Sequence, residues 1–265
     1  MTPPRLIYAA NRWIGVRGLD ALREHGWTPV GLLVPEGPIT DHVGDLVRDC
    51  PETPVLRVSE LQSNEGFARL RDLAPDYLLS VHYPHILPPE VRALPRIGAL
   101  NLYPALLPWN RGTDTPSWAI LEGTPYGATL HWMADAPDAG DIALQRPLEV
   151  RPDDTADSLY ARVLDLEIEL LREAVPLLAS RSLGRTPQSL DGTLHRKGDL
   201  ADARRLDLGR TMSVARVLDQ LRALTTSRPE EAAFFEIGDA RYRVRVEIER
   251  EGAGRERASD EESST

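Results

Sequence analysis

The stretch NLYPALLPWNRGTDTPSWAILEGTPYGATLHWMADAPDAGDIALQ, residues 101–145, decides how the whole chain is interpreted. Its pattern predicts a helix over residues 115–122, with Thr115 as N-cap, between an apolar strand over 98–102 and an alternating strand over 127–133. Between Pro and Gly turns it also carries an amide, a phenol, an imidazole and two carboxylates, from Asn101, Tyr103, His131, Asp138 and Asp141. Polar groups gathered between rigid turns indicate an active site.

The segments before this stretch predict the rest of the fold. Short apolar strands near residues 5–10, 28–34, 54–58 and 76–81 alternate with helical patterns, one of them capped by Ser59. Such alternation predicts an α/β, Rossmann-like, mostly parallel sheet with helices on both faces. Because the first turn reads Asn11-Arg12-Trp13-Ile14-Gly15, without a G-x-G-x-x-G pattern, a dinucleotide site on a glycine loop is disfavoured.

The length of 265 residues exceeds that of a usual single domain, so we expect a principal domain with a smaller appendage. The principal domain is assigned to residues 1–181, and its last helix ends near Leu178. Residues 182–208 are polar and irregular, and we interpret them as a linker. A small α+β subdomain is expected over 209–250, with strands at 232–237 and 241–249, and a disordered tail over 251–265.

The composition excludes several classes of protein. A formal net charge of −10 argues against broad contacts with a nucleic-acid backbone. Since no apolar run approaches the ~20 residues needed to span a bilayer, we expect no membrane insertion. The N-terminus lacks the pattern of a secretory signal, and Cys50 is the single cysteine, so we expect a cytoplasmic protein without a disulfide.

The polar residues of the central stretch favour acyl transfer without a covalent intermediate. Asn101 offers an uncharged donor to a developing oxyanion, and Asp138 can take a proton from an attacking amine. Considered alone, each is more often a turn residue. A nucleophilic serine or cysteine is disfavoured because the sequence has no G-x-S-x-G elbow. Metal binding is also disfavoured, since His82 and His85 have no ligand partners at recognisable spacing.

Four motifs, taken together, carry a resemblance to a known family. The pattern N-x-x-P-x-x-L-P-x-x-R-G begins at Asn101, and W-A-I-x-x-G, G-x-T-x-H and D-x-G-D-I follow in order. This order and spacing resembles the folate-dependent formyltransferase superfamily over roughly residues 75–180. Residues 195–200 and 221–226, followed by Pro229 and Phe234-Phe235, look like the linker and C-terminal subdomain of sugar-nucleotide N-formyltransferases.

The resemblance implies a catalytic trio of Asn, His and Asp. Asn101 and Asp138 match the first and third members, whereas Tyr103 stands at the position of the histidine. A phenol with an unperturbed pKa of about 10 mainly donates a hydrogen bond, whereas an imidazole can shuttle a proton near neutral pH. We therefore expect Tyr103 to polarise the formyl oxygen beside Asn101. Proton removal then falls to Asp138, to water or to His131.

The same resemblance implies binding residues. The donor is expected to be 10-formyltetrahydrofolate, with no metal, and its pterin ring is expected against the loop His85, Ile86, Leu87 and along the loop from Ala134 and Asp135 to Asp141. The acceptor is expected near the turn Asn11, Arg12, Trp13, with Arg111 and Lys197 as candidate basic groups.

The sequence leaves three functional interpretations open. The first is N-formylation of a small amine, foremost an amino sugar nucleotide. The second is formylation of a hydroxyornithine-like or other natural-product amine. The third, favoured by Tyr103, is a catalytically impaired homologue that only binds folate or a nucleotide. A homodimer through the C-terminal part is a further implication of the resemblance.

Overall fold

The computed structural model describes residues 3–189 and 191–251. Its main sheet has seven strands in the order β3-β2-β1-β4-β5-β7-β8. The first five strands in this order are parallel, and β7 and β8 are added by antiparallel pairing. The ranges are β1 Leu6–Ala10, β2 Gly31–Val34, β3 Val55–Arg57, β4 Tyr77–Val81, β5 Gly98–Tyr103, β6 Arg111–Gly112, β7 Gly127–Trp132, β8 Ile142–Pro147, β9 Leu194–His195, β10 Ala233–Ile237 and β11 Ala240–Val244.

Eight α-helices accompany these strands in the described part of the chain. They are α1 Arg12–Arg23, α2 Val43–Asp49, α3 Asn64–Asp72, α4 Pro89–Arg92, α5 Thr115–Glu122, α6 Ala156–Ala179, α7 Ala201–Arg204 and α8 Val214–Ala223. The two faces of the sheet bury separate apolar clusters, one around Tyr8 and Leu171 and the other around Ile7 and Leu78. The predicted α/β architecture with a mostly parallel sheet is therefore confirmed.

The order of strands reverses between β1 and β4. From β1 the chain moves to β2 and β3 on one side, and then returns to place β4 on the other side of β1. In open α/β sheets the ligand crevice lies beyond the carboxyl ends of the strands at such a point. Arg12 closely follows β1 and His82 directly follows β4, so both lie at this edge.

Antiparallel pairing of β5 with β7 sets the register of the central stretch. Asn101 on β5 is the direct partner of His131 on β7. A register shift in the β7–β8 pairing falls between Leu130 and His131, the position at which a bulge redirects a side chain. Residues thirty positions apart along the chain are thereby placed side by side.

The long helix α6 covers one face of the sheet. Thr155 and Ser158 form a capping box at its start, with Thr155 as the N-cap. Its buried face is almost wholly apolar. The exception is Glu167, which is fully buried in that face.

The segment 182–208, predicted as a linker, contains ordered elements. Its strand β9 pairs in parallel with β6, and its helix α7 packs near β10. Beyond it, α8 starts at the N-cap Ser213 and precedes the β10–β11 hairpin. The hairpin ends at Val244 rather than Glu249. Most of the predicted disordered tail, residues 252–265, lies outside the described residues.

Two predicted helix caps were wrong. The N-cap of α5 is Asp114, and Thr115 is the first residue of the helix. Ser63, not Ser59, caps α3, and its side chain accepts a hydrogen bond from the Gly66 N–H at 3.0 Å. Ser59 instead precedes a separate 3₁₀ turn over Glu60–Gln62. None of the described helices is both long and apolar enough to cross a lipid bilayer.

Candidate active site

The side chains of Asn101 and His131 meet at the centre of the candidate site. Asn101 Nδ2 lies 3.2 Å from His131 Nε2, and His131 Nδ1 lies 3.0 Å from the carbonyl oxygen of Trp132. Because a carbonyl can only accept, the proton of the neutral imidazole belongs on Nδ1. Nε2 then accepts one N–H of the Asn101 amide, and the second N–H of that amide remains available to a substrate.

Asp138 approaches the same imidazole nitrogen. Its Oδ1 atom lies 3.8 Å from His131 Nε2, and its Oδ2 atom accepts a hydrogen bond from the Gly112 N–H at 3.2 Å. Burial raises the pKa of Asp138 and lowers the pKa of His131, because it disfavours the charged form of each group. Opposite shifts bring the two proton affinities closer together, as a pair that exchanges a proton requires.

The hydroxyl of Tyr103 binds the backbone beside these groups. It donates to the Gly112 carbonyl at 2.8 Å, with the Asn110 carbonyl at 3.2 Å, and burial raises its pKa well above the usual value. The ring lies edge-on to His131, with centroids 6.2 Å apart. The one hydroxyl proton is thus directed at a carbonyl, so it would have to leave that carbonyl to polarise a formyl oxygen, the role expected from the sequence.

A small cavity of about 160 Å³ opens on one side of Asn101. Most residues expected to bind folate line it, namely His85, Ile86, Leu87, Ala134 and Asp135, together with His131 and Asp138. Asp141 is not among the lining residues, and its backbone carbonyl instead accepts from the Trp132 N–H at 2.8 Å. Two residues that line the small cavity, Tyr83 and His85, each carry a buried polar atom, Oη and Nε2, that has no partner in the described chain.

Arg92 joins the two walls of the small cavity. Its Nε donates to the Leu87 carbonyl at 3.2 Å, Nη1 donates to the Ala134 carbonyl, and Nη2 lies 3.3 Å from Asp135 Oδ1. The sequence did not single out this residue, since Arg92 belongs to none of the recognised motifs. The structure shows it as the group that holds the loop of residues 85–87 against the loop of residues 134–138.

A large cavity of about 640 Å³ opens on the other side of Asn101. It is bordered by the carboxyl ends of β1 and β4, by the start of α6 and by the segment before β10. Tyr83, Asn101 and Asp138 line both cavities. Two ligands that enter from opposite sides would therefore meet at Asn101 and Asp138.

Of the expected acceptor contacts, only Arg12 lines the large cavity. Asn11 is buried and binds the Ile39 carbonyl and the Asp41 N–H through its side chain. Trp13 lies under the Arg17 guanidinium, 4.7 Å from it. Arg111 belongs to β6, and Lys197 is exposed in the turn after β9. These four residues lie outside the lining of both cavities.

No grouping of three His, Cys, Asp or Glu side chains suited to a metal ion occurs among residues 3–189 and 191–251. His82, singled out for its proximity to His85, has a different setting. Its Nε2 atom lies 2.8 Å from the buried carboxylate of Glu167.

Comparison with known proteins identifies the family. Residues 39–175 match the family described as formyl transferase, and residues 199–250 match the N-formyltransferase dimerization C-terminal domain. The chain belongs to the formyltransferase family. A methionyl-tRNA formyltransferase from Myxococcus xanthus is 30% identical over 263 residues, which cover 96% of this formyltransferase and 82% of the relative.

Solved structures share the fold of this formyltransferase. A sugar N-formyltransferase from Shewanella superposes with a TM-score of 0.77 at 20% identity, covering 92% of this chain and 97% of that one. An N-formyltransferase from Helicobacter canadensis, in complex with folinic acid and dTDP-3-aminofucose, gives a TM-score of 0.70 at 17% identity, covering 89% and 85%. The resemblance stated from the motifs is thus confirmed at the level of family and fold.

Proposed function

We propose that this formyltransferase moves a formyl group from 10-formyltetrahydrofolate to the amine of a small acceptor, foremost an amino sugar nucleotide. The observation that carries the proposal is the meeting of the two cavities at Asn101 and Asp138. A transfer between two bound molecules without a covalent enzyme intermediate requires such a shared boundary.

The residues of the small cavity fit a folate. Tyr83 Oη and His85 Nε2 are buried polar atoms without a partner in the described chain, and a pterin ring carries several donors and acceptors along its edge. The exposed side chain of Ile86 at this cavity offers apolar surface to an aromatic ring. A bound 10-formyltetrahydrofolate supplies the formyl carbon and the leaving nitrogen.

Three side chains of this protein, those of Asn101, Asp138 and His131, supply the groups that the transfer needs. The Asn101 amide donates its free N–H to the formyl oxygen, on which negative charge develops as the amine attacks. Asp138 and His131, as a pair with opposed pKa shifts, take the amine proton and return it to the leaving nitrogen. His131, the histidine of the G-x-T-x-H motif, thereby supplies an imidazole to a site whose family pattern has a further one at position 103.

The acceptor class is supported by three observations. The large cavity is of a size that holds a small-molecule ligand of several rings. The Helicobacter canadensis structure, which shares the fold, contains a nucleotide-linked amino sugar. The net charge of −10 opposes binding of tRNA, although the curated relatives include methionyl-tRNA formyltransferases.

The test is a turnover assay with 10-formyltetrahydrofolate and a panel of amines. We expect release of tetrahydrofolate with amino-sugar nucleotides and none with methionyl-tRNA. Release only with hydroxyornithine or a similar amine would select the second acceptor class. Binding of folate without release of tetrahydrofolate for any amine would establish the impaired homologue and refute catalysis.

The family match over residues 199–250 also supports a homodimer. The apolar side chains of Val214, Val217 and Leu218 on α8 and of Ile237 and Tyr242 on the hairpin are exposed. We infer that a second copy covers these exposed apolar side chains of the C-terminal part. Light scattering should give twice the monomer mass, and the Leu218→Glu variant should give the monomer mass.

A further inference from the structure

A chain of four polar side chains runs from the large cavity into the core. Arg12 Nη1 lies 3.2 Å from Tyr160 Oη, which lies 3.3 Å from His82 Nδ1, and His82 Nε2 lies 2.8 Å from Glu167 Oε2. Arg12, His82 and Tyr160 line the large cavity, whereas Glu167 is fully buried beneath them. Of the four residues, only Arg12 enters the acceptor contacts expected from the sequence.

The chemistry of Arg12 and Glu167, the first and last of these four residues, sets the direction in which each hydrogen bond is donated. A guanidinium only donates and an ionised carboxylate only accepts, so Arg12 donates to the Tyr160 oxygen and His82 Nε2 donates to Glu167. The Tyr160 hydroxyl then donates to His82 Nδ1. Burial raises the pKa of Tyr160, so the phenol keeps the proton that this link requires.

The buried position of Glu167 is unfavourable for a carboxylate and lowers the stability of the folded protein. Its side chain has no exposure, and its second oxygen has no partner among the residues that the structure describes. Burying a half-paired carboxylate destabilises a protein, whereas an apolar residue at this position of α6 would extend the apolar face. A costly charge in a packing helix indicates a role in orienting its partner, His82.

The two residues at the edge of the sheet adopt strained backbone conformations. Arg12 has a φ of 62° and His82 a φ of 51°, both in the left-handed region that non-glycine residues seldom adopt. They lie at the ends of β1 and β4, where the strand order reverses. Strain at both positions, beside the expected ligand crevice, fits a backbone shaped to present these side chains.

The charges of the large cavity single out Arg12. Arg228, the other arginine of the lining, forms an ion pair with Glu231 at 2.9 Å. Arg12 has no carboxylate partner within the described ranges, and it is exposed at the first position of α1. A guanidinium matches the geometry of a phosphoryl group, and the N-terminus of a helix adds favourable potential for an anion.

We propose that the Glu167–His82–Tyr160 chain is a positioning device that aims the Arg12 guanidinium at a phosphoryl group of the acceptor. The inference rests on the proposed function and assigns the activated end of a nucleotide sugar to the β1–β4 edge of the large cavity. Asp114 and Asp157, also in the lining, leave the remaining wall unfavourable to phosphate.

The test measures binding of inorganic pyrophosphate and thymidine 5′-diphosphate to the full chain by calorimetry, without any formyl donor. Arg12→Gln is expected to raise Kd by about tenfold, in line with the loss of a charged hydrogen bond. Tyr160→Phe, which keeps the ring, is expected to raise Kd several-fold. Because Tyr160 acts through Arg12, adding Tyr160→Phe to Arg12→Gln is expected to cause no further loss. Arg48→Gln, at an exposed ion pair on α2, is the matched control.

Turnover separates positioning from a general loss of structure. In Tyr160→Phe, KM for a phosphorylated acceptor is expected to rise while kcat and the KM for the folate donor stay at wild-type values. Additive losses in the double variant, an unchanged Kd in Arg12→Gln, or no binding of either probe would overturn the inference. Because the binding measurements need no formyl transfer, they can fail while the turnover assay succeeds, and the reverse holds as well.

Discussion

The Asn101 amide nitrogen lies 3.2 Å from Nε2 of His131, its direct partner across the antiparallel pair β5–β7. This pairing places an imidazole next to the proposed oxyanion donor although residue 103 is a tyrosine. A chain that lacks a histidine at position 103 therefore still has an imidazole in the site.

Asn101→Ala removes the N–H proposed to bind the formyl oxygen. We expect kcat to fall by roughly 100- to 1000-fold, because a preorganised oxyanion donor typically contributes that much. The measurement is steady-state release of tetrahydrofolate. Asn64→Ala, at an exposed position that begins α3, is expected to keep wild-type kcat. A kcat within a fewfold of wild type for Asn101→Ala would contradict the assignment.

Tyr103→Phe distinguishes a structural hydroxyl from a catalytic one. The variant leaves the Gly112 carbonyl without its donor, so we expect a loss of about 1–3 kcal/mol in the free energy of unfolding and a fall in kcat of less than about tenfold. Thermal unfolding and turnover are measured together on the same preparation. A loss of activity above about 100-fold with unchanged Tm would instead show that the hydroxyl acts on the substrate.

Asp138→Asn should change how stability depends on pH. Burial raises the pKa of Asp138, so its stabilising contribution is complete below the unfolded pKa of about 4 and is lost as pH rises through the folded pKa. Asparagine does not ionise, so the Tm of the variant relative to wild type should rise as the pH increases from about 4 towards neutral. Calorimetric scans across this range test the sign. A difference in Tm that falls with pH would refute it, and the exposed Asp239→Asn is the control.

Gly140→Ala should disrupt the loop that carries Asp138. A Cβ at Gly140 would lie 1.7 Å from the carbonyl oxygen of Trp132, so the loop over residues 134–141 could not close onto β7. We expect loss of turnover and weaker folate binding. Gly44→Ala in α2, where a Cβ meets nothing within 4 Å, should instead stabilise the protein by about 0.5–1 kcal/mol. Wild-type folate affinity in Gly140→Ala would be inconsistent with this packing.

Arg92→Gln should act on the folate side alone. The guanidinium bridges the Leu87 and Ala134 carbonyls, and its loss should let the two walls of the small cavity separate. We expect the KM for 10-formyltetrahydrofolate to rise about tenfold or more, with the acceptor KM unchanged. The surface substitution Arg69→Gln serves as control. Equal rises in both KM values would indicate a general disturbance instead.

Apolar patterns within single segments of the sequence predicted the strands of the sheet and the helices well. The apolar runs at β1 and β4 are wholly buried, as central parallel strands require, and the apolar stripe of α6 packs on the sheet. The misplaced cap at Ser59 shows the limit, because Ser59 and Ser63 both precede the same helical pattern. Only the backbone conformation decides which hydroxyl reaches a free N–H.

The motifs singled out Asn101 and Asp138, and the side chains of both approach His131 Nε2, but the contacts that orient them depend on loop closure. The bond from Tyr103 to Gly112 and that from Gly112 to Asp138 join three separate segments, and no local pattern encodes them. Glu167 has a readable signal in the sequence, because it is a carboxylate among the apolar positions of α6. Its partner His82 has no signal in the sequence beyond its spacing of three residues from His85.

The pairing of β9 with β6 bears on how such enzymes can be recombined. The carbonyl oxygens of Thr193 and His195 accept hydrogen bonds from the backbone N–H groups of Arg111 and Thr113. Gly112, which lies between these two residues, accepts a hydrogen bond from the Tyr103 hydroxyl and donates one to Asp138. A fragment that stops at residue 181 would keep Asn101, His131 and Asp138 but would lose the pairing of β9 with β6. An exchange of C-terminal parts between relatives must therefore join the chains after residue 195, so that β9 stays with its own β6.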